Sequence, residues 1–321
     1  MNASINRRQA IVAVAAGAVT SIVARNAVAR SATERKFTID LCPGRIGVGG
    51  TNDQWLKWAK EFGFESIEPD GAFLARLTAK DRQSFVAEMQ SAGIRWGAAG
   101  LPVEFRKDEK VFQEGLAALP AIAEALKLAG VDRMGTYIMP RHAELTYTAN
   151  MQQHASRLRL LAEMLRAYGI RLGLEYVGPK TLWASARYPF IHTLAETQDL
   201  IREINRDNVG LVLDSWHWYT SADPLEDLAK LSNQQVVAVD LNDAPAGLER
   251  DQQIDSQRTL PVATGVIDVR AFLQMLVDIG YDGPVRAEPF DKQLNELDDR
   301  AALQKTSQSM HAAVALLDQT P

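Results

Sequence analysis

Cysteine is almost missing from this chain. Cys42 is the single one in 321 residues, which excludes an intramolecular disulfide and any Cys-rich metal site. It falls in a strand-like run and reads as a small buried hydrophobe. Histidine is scarce too, at five residues, too few for a many-histidine cluster holding several metal ions. Basic residues number 35 against 40 acidic ones, and a net charge of -5 advertises no surface for nucleic acid. No uncharged apolar run reaches the roughly 20 residues of a membrane span. A dinucleotide fingerprint is also lacking, since Gly47-Val48-Gly49-Gly50 is not GxGxxG. It reads as a flexible active-site loop.

What is present begins with an unusual N-terminus. Arg7-Arg8 precede the uncharged apolar run Ala10–Ala24, and Ala27-Val28-Ala29 is a small-x-small cleavage site. That order is the order of a secretory signal. The paired arginines point to the twin-arginine route and to the periplasm, although the Phe-Leu that usually follows is absent from Asn6-Arg7-Arg8-Gln9-Ala10-Ile11. Residues 1–29 carry three arginines and no acid, so their removal takes the net charge from -5 to -8 and leaves no stable membrane anchor.

From residue 36 onward short β-type runs alternate with helical ones. Strands are expected at Phe37–Leu41, Ser66–Glu68, Arg95–Ala99, Arg133–Ile138, Arg171–Tyr176, Val209–Asp214, Val236–Asp240 and Val285–Glu288. Between them the apolar spacing is helical: in Tyr147–Tyr168, Met151, Leu158, Leu161, Met164 and Leu165 share one face. A further helical stretch, Leu294–Leu317, closes the chain. Eight strand-helix units in one composition regime predict a single-domain α/β fold, a (β/α)8 TIM barrel over residues 36–318. A doubly wound open sheet is the alternative.

A barrel works at the C-terminal ends of its strands. Here the last four expected strands end in Glu175, Asp214, Asp240 and Glu288. Four carboxylates around one mouth repel one another unless a cation joins them, and oxygen-rich ligation suits Mn²⁺ or Mg²⁺. One divalent metal is therefore the expected cofactor.

The runs Gly173-Leu174-Glu175-Tyr176, Val212-Leu213-Asp214-Ser215-Trp216-His217 and Leu241-Asn242-Asp243-Ala244-Pro245 resemble the sugar phosphate isomerase/epimerase family with a xylose-isomerase-like barrel. So do Gly265-Val266-Ile267-Asp268 and Gly280-Tyr281-Asp282-Gly283-Pro284-Val285. The resemblance implies that Glu175, Asp214 and Glu288 are metal ligands and that His217 contacts substrate. It implies a histidine as fourth ligand where this chain has Asp240, so that Asp240 either ligates or orients His217 or the substrate. It also implies the chemistry, in which Glu175 and Glu288 serve as catalytic acid and base and shuttle a proton through an enediolate of a keto sugar. Arg258 is expected to contact substrate in the long loop after the seventh strand.

Weaker candidates for the small carbohydrate substrate are Glu68, His142 and Trp216. His192 ranks lower, and His154 and His311 read as structural. Epimerisation or isomerisation is the first reading. A lyase or hydratase eliminating a β-substituent from a 3-keto-glycoside is the second, and a non-catalytic carbohydrate-binding barrel the third. A homo-oligomer is compatible with all three. If the signal is cleaved as written, intact-mass analysis of protein secreted by its host gives a chain starting at Arg30; a cytoplasmic chain retaining Met1–Ala29 overturns the export reading.

Overall fold

A computed structural model describes residues 34–319; the expected signal at residues 1–29 lies outside them. The strands are β1 Thr38–Leu41, β2 Ser66–Ile67, β3 Arg95–Trp96, β4 Ala99–Gly100, β5 Arg133–Tyr137, β6 Arg141–His142, β7 Arg171–Glu175, β8 Tyr188–Pro189, β9 Val209–Asp214, β10 Val236–Asp240 and β11 Pro284–Arg286. Nine of them form one sheet in the order β3-β2-β1-β11-β10-β9-β7-β5-β4. Every pairing in it is parallel. Its two ends, β3 and β4, are separated in sequence only by Gly97 and Ala98, so they are halves of one strand and the sheet closes on itself. All eight expected strands are present and the fold is the (β/α)8 barrel.

The helices begin where short polar side chains can accept a free backbone N–H. Thr51, Thr78, Asp108, Thr146, Thr193 and Asp298 each do so at a helix start. Asp298 also explains a departure from expectation. The predicted closing helix is divided into Lys292–Asn295 and Asp299–Ala315, because the Asp298 cap starts the second piece afresh. The small antiparallel pair β6–β8 was not foreseen; at two residues per strand it carries no readable alternation.

Inside the barrel, side chains two residues before the strand ends form a narrow layer. Ala98, Val212 and Ala238 pack together there. Gly173 belongs to the same level, where an added Cβ would stand 2.8 Å from Val212 Cγ2. Arg286 occupies the equivalent place on the eighth strand and is buried. It is the long polar side chain of an otherwise small-residue layer.

Asp40 explains the interruption of the third strand. Its buried carboxyl fills the space beside Gly97, where a Cβ would fall 2.7 Å from the carboxyl carbon. One oxygen, Oδ1, has no hydrogen-bond partner. Burial pushes Asp40 up to about 7. The native state therefore holds a proton that the unfolded chain releases near pH 4, and this group costs stability as pH rises from about 4 to about 7. Asp40→Asn should flatten that decline, with a gain of roughly 1–4 kcal/mol near neutrality in urea unfolding. Gly97→Ala should lose roughly 1–3 kcal/mol in the same assay through overpacking against Asp40.

Candidate active site

The four strand-end acids converge. Oxygens of Glu175, Asp240 and Glu288 lie within 4.8 Å of one another, and Glu175 also stands within that distance of Asp214 and a ring nitrogen of His217. All five residues are buried. Glu175, His217 and Glu288 line a cavity of about 450 Å³ that Tyr137, Met139 and Phe290 also border, and Asp214 and Asp240 lie behind that lining.

Guanidinium groups balance these acids; of the three, Arg258 was expected at the site, and Arg45 and Arg286 were not. Arg258 Nη1 donates to Asp214 Oδ2 at 2.7 Å and to Glu288 Oε2 at 3.1 Å. Its Nη2 donates to Asp255 at 2.8 Å. The Trp216 and Phe290 rings lie 5.0 and 4.6 Å from its carbon, which fixes it from two more directions. Arg286 grips Asp240 through Nε at 2.5 Å and Nη2 at 3.3 Å and reaches across to Ala98 O at 3.4 Å. Arg45, carried by the glycine-rich loop after β1, pairs with Glu288. A dication is therefore not the sole means of holding these carboxylates together; three arginines already do so.

The pairing leaves the carboxyls unequal. Burial, reinforced by Asp240 and Asp214, pushes Glu175 well above the usual carboxylate range, and its Oε1 has no partner. Burial raises Asp214 to about 6 against the pull of Arg258. Burial also works against Asp240, but Arg286 and Arg45 outweigh it and hold that carboxyl low. Asn242 ties two acids in place: its Nδ2 donates to Asp214 at 3.1 and 3.2 Å, and its Oδ1 accepts from the Glu288 backbone N–H at 2.9 Å.

His217 is kept neutral, as burial and then Arg258 drive it well below its ordinary value. Its Nδ1 accepts the Gly178 N–H at 3.2 Å, which places the ring proton on Nε2. That N–H faces Arg258 Nη2 at 3.1 Å, donor against donor. An oxygen placed to accept from both would relieve the conflict.

A divalent ion fits part of this set. Donor oxygens about 2.0–2.6 Å from a common ion lie no more than about 5 Å apart. Glu175 meets that spacing in both clusters and offers an unpartnered oxygen. Asp214 belongs to one cluster and Glu288 to the other, with Arg258 Nη1 between them, so Glu175, Asp214 and Glu288 would hold the ion together only with Arg258 displaced. Asp240, expected as a fourth ligand, has both oxygens on Arg286, and His217 presents a proton at Nε2 rather than a lone pair.

The weaker candidates fall elsewhere. Trp216 is fully buried, with Arg258 over its ring where a sugar was expected. His142 does not line the cavity; its Nδ1 accepts the backbone N–H of Glu144 and Leu145 at 3.0 and 2.8 Å in a local turn. Glu68 lines a neighbouring cavity. His154 bonds to Asn150 O, His192 to Phe190 O and His311 to Gly63 O. Sequence reasoning missed Arg45, Arg286 and Asp255. Arg286 alone left a signal, since it stands two residues before Glu288 and strand alternation sends both to the same face.

The sequence profile of the xylose isomerase-like TIM barrel family matches residues 56–313. The chain is 28% identical over 194 residues to inosose isomerase of Bacillus licheniformis, covering 60% of this chain and 66% of that one. A shorter stretch of 149 residues is 31% identical to 3-dehydroshikimate dehydratase of Pseudomonas aeruginosa, covering 46% of this chain but 22% of the other. Among solved structures, a xylose isomerase domain protein from Alicyclobacillus acidocaldarius superposes with a TM-score of 0.77 at 29% identity, covering 88% of this chain and all (100%) of that one.

Two outcomes follow from the arginine pairing. Arg286→Met alone leaves Asp240 buried and unpaired, which should cost roughly 3–5 kcal/mol in urea unfolding, and adding Asp240→Asn should restore most of it. Arg258→Met frees Asp214 Oδ2 and Glu288 Oε2. Mn²⁺ should then bind at least about tenfold more tightly in equilibrium dialysis, a gain of about 1.4 kcal/mol; unchanged affinity would show that Arg258 does not compete with the ion.

Proposed function

The chain belongs to the xylose isomerase-like TIM barrel family, and from that premise we propose that it isomerises or epimerises a keto sugar or sugar derivative by proton transfer through an enediolate. The observation that carries this reading is the contrast between its two glutamates. Glu288 is ion-paired with Arg45 and Arg258, whereas Glu175 is buried with one oxygen, Oε1, that accepts no hydrogen bond. Carboxyls whose surroundings separate them in this way suit the roles of base and acid.

In this reading Glu288 removes the proton beside the substrate carbonyl and Glu175 returns one. His217 Nε2–H and Arg258 Nη2 donate to the oxygen that gains charge. Asn242 keeps Asp214 and the Glu288 backbone in register with them. The divalent ion would be held by Glu175, Asp214 and Glu288, with Mn²⁺ or Mg²⁺ best matched to oxygen donors, and would supply Lewis-acid polarisation of the carbonyl. Residues 1–29 support export, and we place the reaction in the periplasm, on a small carbohydrate. Export favours free or linked sugars over sugar phosphates as substrates.

The likeness to a dehydratase favours a second reading, loss of a β-substituent from the same enolate. Incubation with Mn²⁺ and keto sugars in D₂O separates the two. Deuterium entering beside the carbonyl with every substituent retained supports isomerisation, and release of water or an aglycone supports elimination. Glu175→Gln and Glu288→Gln should each lower exchange by about 10²–10⁴-fold. Full activity in both variants would remove the glutamates from the mechanism.

A further inference from the structure

A second cavity of about 360 Å³ adjoins the first, and both lie in the roughly 300–1,000 Å³ range of small-molecule sites. The two meet along Gly100, which lines both, and along the turn where Pro43 and Gly44 face one side and Arg45 the other. At Gly100 an added Cβ would meet no atom within 4 Å, so the junction is open space.

The lining of the second cavity has the composition of a sugar subsite. The Trp55 ring is half-buried and fixed, because its Nε1 donates to Gly49 O at 2.7 Å. An indole held in one orientation gives a flat apolar face suited to the C–H face of a ring. Glu68 is half-buried against the same cavity, and none of the described hydrogen bonds or ion pairs uses its carboxylate. A carboxylate at such a place accepts hydroxyl protons. Asp70 stands beside it, with one oxygen on the Phe73 N–H at 2.9 Å, and Val48, Ala72 and Ile122 complete an apolar wall.

We propose that the substrate consists of two linked rings: a keto-sugar ring in the main cavity among the acids and arginines, joined past Gly100 to a second ring, a sugar or a flat aglycone, on Trp55 and Glu68. This rests on the keto-sugar reading above and specifies its substrate class as a glycoside. It also gives Glu68 a binding role away from the reacting atoms.

The test compares affinities by calorimetry, with 3-keto-glucose as one-ring probe and 3-keto-cellobiose and phenyl 3-keto-β-glucoside as two-ring probes. In the unaltered protein the two-ring probes should bind at least about tenfold more tightly than the one-ring probe. Gly100→Phe plugs the junction at a residue whose φ lies outside the strained positive range, and should bring that ratio close to one. Trp55→Ala and Glu68→Gln should each reduce it several-fold, which covers the case of one variant failing to fold.

Equal affinities in the unaltered protein, or a ratio that survives Gly100→Phe, overturn the second subsite. Tighter binding of two-ring probes with no deuterium exchange keeps the subsite and overturns the proposed reaction. Binding by none of the probes overturns both.

Discussion

The site depends on a contest between burial and pairing. Removing a carboxylate from water costs several kcal/mol, and only close, well-aligned opposite charge repays it. At this barrel mouth the repayment is uneven. Asp240 is fully matched by Arg286, Asp214 shares Arg258 with Glu288, and Glu175 Oε1 accepts no hydrogen bond, with the His217 ring nitrogen 3.9 Å away. That unevenness, rather than the number of acids, makes the residues chemically different from one another. It also preorganises the cavity, since Arg258 is held by three acids and two rings before any ligand arrives.

The barrel was legible in the sequence because its signals are local. Strands such as Val209–Asp214 and Val236–Asp240 are continuous apolar runs closed by an acid, and the helices between them carry their own caps. The acids were legible for the same reason, standing at strand ends where this fold concentrates function. The ion pairs that the arginines make were not, although Arg258 was expected at the site as a substrate contact. Arg45 reaches Glu288 from a loop more than two hundred residues away in the chain, and Arg258 reaches Asp214 across 44 positions. Their geometry is set by barrel closure and leaves no spacing to read. Arg286 differs, as its inward position follows from alternation once Glu288 is placed.

Asp240 and Arg286 are best understood together. An acid in that position adds negative charge to a crowded rim, and the neighbouring strand supplies a guanidinium that takes both of its oxygens. The strand register puts Asp240 opposite Arg286 on one side and Asp214 on the other, so Arg286 offsets the charge of Asp240 from the side away from Asp214.

The broken third strand has a consequence for motion. Between β3 and β4 the ladder passes through Gly97 and Ala98, stitched to its neighbours by single bonds such as Gly97 N–H to Ile67 O and Leu101 N–H to Gly135 O. A local opening of the barrel would begin at such a seam, where the fewest bonds must break. Water entering there reaches Asp40 first, and once that carboxyl ionises its charge resists reclosure. The seam thus behaves as a latch whose hold slackens as the pH rises from about 4 to about 7.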